Sequence, residues 1–197
     1  MPSLPQKRII LGIDPGTTTM GFGVIQQVQQ QLCALQHGVV QLARYKTHTL
    51  KLQKIFEHTL RLVDTSRPDE VALEAPFYGK NVQAMLKLGR AQGVAMAAAL
   101  VREIPLAEYA PRSVKQAVTG HGHASKEQVA RMLTVLLQCA TLPEQLDATD
   151  ALAVAVCHAY QGKRACTKPM TWKQLLNENR TRVCPAGGVR ALPRFNT

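Results

Sequence analysis

Four acidic residues in this sequence occupy positions at which carboxylates could do metal chemistry. Asp14 and Glu74 each end a short apolar run that is typical of a buried strand. Asp147 and Asp150 lie three residues apart at the start of an alanine-rich helix, so both face the same side of its first turns. We therefore expect two strand ends and one helix start to bring the four acids together on one edge of a sheet.

Such a cluster repels itself unless cations fill it, and Mg²⁺ is a hard divalent cation that prefers oxygen ligands. Two ions about 4 Å apart can clamp a scissile phosphate, one activating water and the other stabilising the leaving 3′ oxygen. Asp14 is the best candidate to bridge both ions, because we expect its strand at the centre of the sheet. Simpler roles stay open for single residues: a turn residue for Asp14, a solvated rim charge for Glu74 and a helix cap for Asp147.

The net charge indicates a polyanionic partner. The 197 residues include 24 Lys and Arg against 13 Asp and Glu, a formal charge of +11. A basic field of this size favours nucleic acid. Residues 161–197 carry eight basic residues and one acid. We therefore divide the chain into a domain over residues 1–160 and a basic C-terminal tail over 161–197, for which DNA binding and disorder both stay open.

The composition argues against several other classes of protein. The longest apolar run, residues 94–101, is shorter than the 20 or so residues of a membrane span. The first residues lack the apolar core of a signal peptide, so we expect a cytoplasmic protein with no membrane partner. The five cysteines contain no CxxC pair, which favours reduced thiols over a disulfide framework or a zinc site.

Hydrophobic periodicity predicts an alternation of strands and helices. Three strands at 8–13, 21–26 and 32–42, the last interrupted near Gly38, should form an antiparallel meander because short polar turns join them. The remaining elements are helix 50–63, strand 70–74, helix 81–102, strand 104–109, and helices 113–118, 126–139 and 146–160. This order indicates an α/β fold, a mixed sheet with helices on both faces.

Six stretches of the chain, in the same order, resemble the RuvC family of bacterial Holliday-junction resolvases, which belongs to the RNase H-like superfamily. They cover most of residues 8–160: ILGIDPG with GFGV, LEAPF, KN with LKLGRAQG, YAPRSVKQ, GHGHASKEQV and DATDALA. The first motif alone is a weak signal, whereas all six in register are highly specific. The resemblance implies an RNase H-like five-stranded sheet, with three antiparallel strands and then two parallel ones.

The resemblance also implies particular site residues. Four are catalytic residues and metal ligands, namely Asp14, Glu74, Asp147 and Asp150, with two Mg²⁺ expected per site and Mn²⁺ able to substitute. Five bind DNA, with an aromatic ring stacking on opened bases and basic side chains near the phosphates, namely Phe77, Lys80, Arg112, Lys115 and Lys126. The alternative is a core position for the aromatic residue and an ordinary surface position for the lysines.

The function that the resemblance implies is metal-dependent resolution of four-way DNA junctions during homologous recombination and DNA repair. A homodimer would nick two strands of like polarity, because a twofold protein fits a quasi-twofold junction. The family's partners would be the branch-migration proteins RuvA and RuvB. Small residues on the long helix, at Gly89, Gly93 and Ala97, could form the dimer contact or pack on the helix's own sheet.

Three histidines and one segment depart from this pattern. We interpret His121 and His123 as loop residues beside DNA rather than as a metal pair. His158 lies eight residues after Asp150, and we expect it on the surface at a helix end, with an indirect contact to the site as the alternative. Residues 44–54 lack the acidic-then-Arg-Leu pattern of the family, which leaves the start of the first helix open.

Two other classes of function compete with the nuclease. An ATPase of the actin, sugar-kinase and chaperone group has a phosphate loop similar to residues 12–18, but that fold needs two such domains and gives Asp147 and Asp150 no role. A catalytically silent junction- or RNA-binding relative would keep the fold with merely structural acids. The presence of all four acids favours the nuclease.

Overall fold

The structure is a computed structural model that describes residues 7–76, 81–139 and 145–161. One sheet has five strands in the order β3-β2-β1-β4-β5. Neighbours pair antiparallel among the first three strands and parallel from β1 to β4 and β5. The strands are β1 (Lys7–Asp14), β2 (Thr19–Val28), β3 (Gln31–Gln41), β4 (Glu70–Glu74) and β5 (Leu106–Tyr109).

Helices cover both faces of this sheet, which confirms the predicted α/β architecture. In the described ranges they are α1 (His48–Ser66), α2 (Val82–Leu100), α3 (Pro111–Thr119), α4 (Lys126–Leu136) and α5 (Leu146–Gln161). Helices α1 and α2 share one core with the sheet, and α3, α4 and α5 share the other. None of these helices is both long enough and apolar enough to cross a membrane. The predicted basic tail, from residue 162 onwards, lies outside the described residues.

The third strand is continuous, so the predicted interruption near Gly38 is wrong. Gly38 pairs with Phe22 of β2, and a Cβ atom at residue 38 would lie 3.0 Å from the tip of that ring. The irregularity lies instead opposite Val24 and Ile25, where the register shifts by one residue at Leu35. The glycine therefore makes room for an aromatic neighbour, and a bulge supplies the local distortion.

Helix α1 begins two residues before the predicted start. The side chain of Thr47 accepts a hydrogen bond from the backbone N–H of Leu50, which caps the free amides of the first turn. The helix ends where Arg67 adopts a left-handed conformation (φ 46°) and Pro68 follows. The cap at Thr47 thus fixes the helix start that the sequence left open.

Strand alternation decides which side chains face α5. Ile10 packs in the core that contains α5, whereas Leu11 and Ile13 pack with α1 and α2. Asp14 extends the row of Ile10 because successive side chains of a strand point to opposite faces. The same alternation places Glu74 on the α5 face of the neighbouring parallel strand.

Helix α5 lies directly on the backbone of β1 and β2. A Cβ atom at residue 12 would overlap the carbonyl oxygen of Ala151, and one at residue 21 would overlap the carbonyl oxygen of Asp147. Glycine is therefore required at both positions for so close an approach. Because Gly21 pairs with Asp14, this contact sets the first turn of α5 beside the end of β1.

We expect Gly12→Ala to destabilise the fold by about 3 kcal/mol or more, because the added methyl group meets backbone that cannot yield without moving α5. Gly38→Ala is the matched control, since its methyl group meets only the end of the Phe22 ring, and we expect a loss below about 1 kcal/mol. Urea unfolding of the two variants measures both values. Equal losses would contradict the close packing of α5.

Candidate active site

Three of the four predicted acids form one compact cluster. Carboxylate oxygens of Asp14, Asp147 and Asp150 lie within 4.8 Å of one another, and all three residues are partly buried. The first comes from the end of β1 and the other two from one face of the first turns of α5. An all-oxygen, all-anionic donor set of this kind fits a hard divalent cation.

Glu74 lies beside this cluster rather than within it. It ends β4, the parallel neighbour of β1, and borders a cavity of about 130 Å³ that Asp14 also lines. The group of oxygens within 4.8 Å does not include its carboxylate. The structure thus brings all four acids to one edge of the sheet, where Asp14 and Glu74 line one small cavity together with Ala75 and Pro76.

Each of the two acids on α5 accepts a hydrogen bond from a side chain outside the helix. The hydroxyl of Thr19, the first residue of β2, donates to Oδ2 of Asp147. The ammonium Nζ of Lys126, the first residue of α4, donates to Oδ2 of Asp150 at 2.8 Å. The cluster therefore has one neutral and one cationic donor.

Burial and mutual repulsion raise the pKa values of two site acids. Burial is the main cause for Asp14, whose pKa rises to about 7, and the carboxylates of Asp150 and Asp147 add to it. Burial also raises the pKa of Glu74 to about 8, with further contributions from Asp14 and Asp150. Lys126 opposes both shifts. The site without a cation therefore holds protons near neutral pH, which a bound cation would displace.

The predicted DNA-binding residues fall into three groups. Lys126 contacts the acid cluster directly, and Lys115 on α3 is close enough to lower the pKa of Glu74. Arg112 is exposed at the start of α3, where a Cβ atom at residue 122 would lie 2.9 Å from its Cγ. Phe77 and Lys80 lie outside the described residues.

His158 is buried at the end of α5 remote from the acids, so its predicted surface position is wrong. Its ring contacts Glu70 through Nε2 and the Tyr109 hydroxyl through Nδ1, the latter at 2.7 Å. Glu70 starts the strand that Glu74 ends. Burial lowers the pKa of His158, which favours a neutral ring; with its proton on Nε2, such a ring would donate to the glutamate and accept from the tyrosine.

His121 and His123 are exposed in the loop between α3 and α4, as predicted, with their ring centroids 6.4 Å apart. Neither belongs to a group of three candidate ligands within the described residues. Thr19, whose partner Asp147 is 128 residues away, is not among the site residues predicted from the sequence. No local signal could have identified it, because a threonine at a strand start is ordinary.

Comparisons with known proteins agree with this geometry. The family model described as "Crossover junction endodeoxyribonuclease RuvC" matches residues 10–158. A protein of that name from Christiangramia forsetii is 56% identical over 182 residues, 91% of this chain and 95% of the relative. Another, from Porphyromonas gingivalis, is 50% identical and covers 91% of this chain and 98% of its own length.

Solved structures give the same result. The structure titled "T. thermophilus RuvC in complex with Holliday junction substrate" has a TM-score of 0.74 and 33% identity, covering 79% of this chain and 95% of that one. The yeast mitochondrial resolvase Ydc2, at 15% identity and a TM-score of 0.58, shares the fold.

The order of the sheet and the acids at its edge define an RNase H-like nuclease class. Within that class, the chain belongs to the RuvC family of crossover junction endodeoxyribonucleases. Family membership and the acid cluster together indicate an enzyme that depends on a divalent metal ion.

In EDTA, we expect the free energy of unfolding to fall as the pH rises from about 4 to about 8. Folded Asp14 and Glu74, with pKa values of about 7 and 8, keep protons that unfolded carboxyls release near 3.8 and 4.5. The native state then binds more protons than the unfolded state, so stability decreases with pH. Urea unfolding at a series of pH values measures the slope.

Asp14→Asn should make this slope shallower, because it removes one of the two titrating groups. Asp64→Asn is the matched control: Asp64 is exposed and paired with Arg102, which lowers its pKa, so the slope above pH 5 should not change. A stability that rises through this pH range in the unaltered protein would contradict the electrostatics of the site.

Proposed function

We propose that this chain is a Holliday-junction resolvase that makes symmetric paired nicks in two strands of like polarity during homologous recombination and DNA repair. The observation that carries the proposal is the carboxylate cluster of Asp14, Asp147 and Asp150, with Glu74 beside it, at one edge of an RNase H-like sheet. The RuvC relatives, one of them solved with a Holliday junction, support four-way junction DNA as the substrate.

In this proposal Asp14, Glu74, Asp147 and Asp150 are the catalytic residues and hold two Mg²⁺ ions, for which Mn²⁺ can substitute. The ions would supply Lewis-acid charge at the scissile phosphate. The protein would contribute a preformed arrangement of carboxylates, because strand ends and a buried helix fix their positions without a bound cation. The raised pKa values of Asp14 and Glu74 mean that cation binding releases protons and strengthens as the pH rises.

Basic side chains would hold the DNA beside these acids. Lys126 lies within hydrogen-bond distance of Asp150, so a small movement transfers its ammonium group to a phosphate oxygen. Lys115, on α3, is close enough to lower the pKa of Glu74. We assign Arg112 and Lys80 to the DNA backbone and Phe77 to stacking on an opened base, which is worth about 1–3 kcal/mol.

A homodimer fits the substrate because both are twofold, and α2 offers a face for it. Val82, Leu86 and Leu100 are exposed on this helix, and the space in front of Gly89 and Gly93 is open. These residues recur at helical spacing along one face. The alanines on the other side, among them Ala91 and Ala95, already pack in the core of the chain's own domain. This division supports the dimer contact over packing of the glycines on the sheet.

The branch-migration proteins RuvA and RuvB would then deliver the junction to this dimer. We place the enzyme in the cytoplasm because its proposed substrate is chromosomal DNA. The three described cysteines are free, which agrees with a reducing compartment. A catalytically silent relative is the alternative, and it differs in one result: it would bind the junction without cutting it.

With Mg²⁺ and a synthetic four-way junction, we expect paired symmetric nicks that Asp14→Asn reduces by at least about 100-fold, since loss of metal-assisted charge stabilisation costs several kcal/mol. Junction affinity should survive, because the variant removes a negative charge from the DNA face. Asp64→Asn, an exposed acid on α1, is the control and should cut normally. Unchanged cleavage by Asp14→Asn would contradict the assignment of the site.

We expect Leu86→Lys to shift the protein from dimer to monomer, because it places a charge in the apolar face of α2. Val135→Lys is the matched control, since Val135 is an even more exposed apolar residue on α4 (72% against 52%). Sedimentation velocity measures the mass, and junction cleavage should change from paired to single nicks. A Leu86→Lys protein that stays dimeric would overturn the proposed interface.

A further inference from the structure

The side chain of Thr19 connects the sheet to the acid cluster. Its hydroxyl contacts Oδ2 of Asp147. An ionised carboxylate can only accept hydrogen bonds, so the hydroxyl is the donor. Thr19 is partly buried, and it lies five residues after Asp14, at the first position of β2.

The backbone of Thr19 is held from two sides. On one side it pairs with Gln41 of β3. On the other, a Cβ atom at residue 16 would overlap the carbonyl oxygen of Thr19, so the turn after Asp14 packs tightly against it. Threonine is also stiff about its first side-chain torsion. The sheet and the turn thus fix the position of the hydroxyl independently of its contact with the carboxylate of Asp147.

The other acid on α5 is held in a different way. Asp150 accepts its hydrogen bond from Lys126, whose positive charge offsets the negative charge that a cation would use. Thr19 is neutral, so it orients Asp147 without reducing its charge. A neutral donor to a metal-binding carboxylate therefore fixes geometry and leaves the electrostatic attraction intact.

We propose that Thr19 is a positioning residue for divalent-cation binding: it engages one oxygen of Asp147 and thereby directs the other oxygen towards Asp14 and Asp150. The proposal rests on the proposed function, because it takes the acid cluster to be the cation site. Thr19 itself does not bind the ion or the DNA. Its effect is on the affinity of the cluster for the ion.

The test is Thr19→Val in the full-length protein, because valine keeps the shape of threonine and removes the hydroxyl. Mn²⁺ binding is measured by calorimetry without DNA, and we expect a 10- to 100-fold loss of affinity, the usual effect of removing a hydrogen bond to a metal ligand. Thr19→Ser keeps the hydroxyl and should bind Mn²⁺ nearly as well as the unaltered protein. Thr18→Val, at an exposed neighbouring threonine, should bind it equally well.

Junction cleavage gives a second readout. In Thr19→Val the Mg²⁺ concentration for half-maximal nicking should rise by the same factor, and the rate at saturating Mg²⁺ should stay close to that of the unaltered protein. A residue that merely supports the fold would instead lower the unfolding temperature and leave the Mg²⁺ dependence where it was. If Thr19→Val does not fold, Thr19→Ala removes the same hydroxyl with less bulk and replaces it in both measurements.

Unchanged Mn²⁺ affinity in Thr19→Val would overturn the proposal, and so would an equal loss in Thr19→Ser, because the hydroxyl would then not be the cause. Both results leave the proposed function intact, since the unaltered protein binds Mn²⁺ in each. Absence of Mn²⁺ binding by the unaltered protein would contradict the proposed function itself, and the role of Thr19 with it.

Discussion

The contact between helix α5 and the bare backbone of β1 and β2 is the constraint on which the site depends. Because Gly12 and Gly21 have no side chains, the helix lies on the sheet itself rather than on a layer of side chains. That closeness fixes the height of the first turn of α5 and hence brings Asp147 and Asp150 to the level of Asp14. The precision of the acid cluster is therefore a property of packing between two rigid elements, not of a loop.

The two glutamates of β4 lie beside opposite ends of helix α5 and have different partners there. Glu70 is buried, and it is satisfied by Arg8 at 3.2 Å and by the ring of His158. Glu74 lies four residues further along the same face, where burial raises its pKa and neighbouring carboxylates add to the shift. The paired Glu70 anchors the C-terminal end of α5 on the sheet through His158. At the N-terminal end of α5, Glu74 and its neighbouring carboxylates leave an excess of negative charge that can attract a cation.

The overall charge of the chain and the charge of its site have opposite signs. A protein with a formal charge of +11 attracts a polyanion, yet it concentrates partly buried carboxylates at one edge of its sheet. Lys126 opposes the raised pKa values of Asp14 and Glu74, and Lys115 opposes that of Glu74. The folded state thus carries repulsion that ordinary cores avoid, which is the usual sign of a functional site. Cations are complementary to the carboxylates, and DNA phosphates are complementary to the basic side chains.

The sequence by itself determined the order of the elements, because apolar periodicity and turn residues are local, and it determined the four acids, because each stands at the end or start of such an element. It predicted that Asp14 and Glu74 share one edge of the sheet, since each ends a short apolar strand. Only the tertiary structure decided that Thr19 holds Asp147, that His158 is buried against Glu70 and that β3 bulges instead of breaking at Gly38. These three features depend on contacts between residues far apart in the chain, and no local pattern encodes the distance at which two packed elements settle.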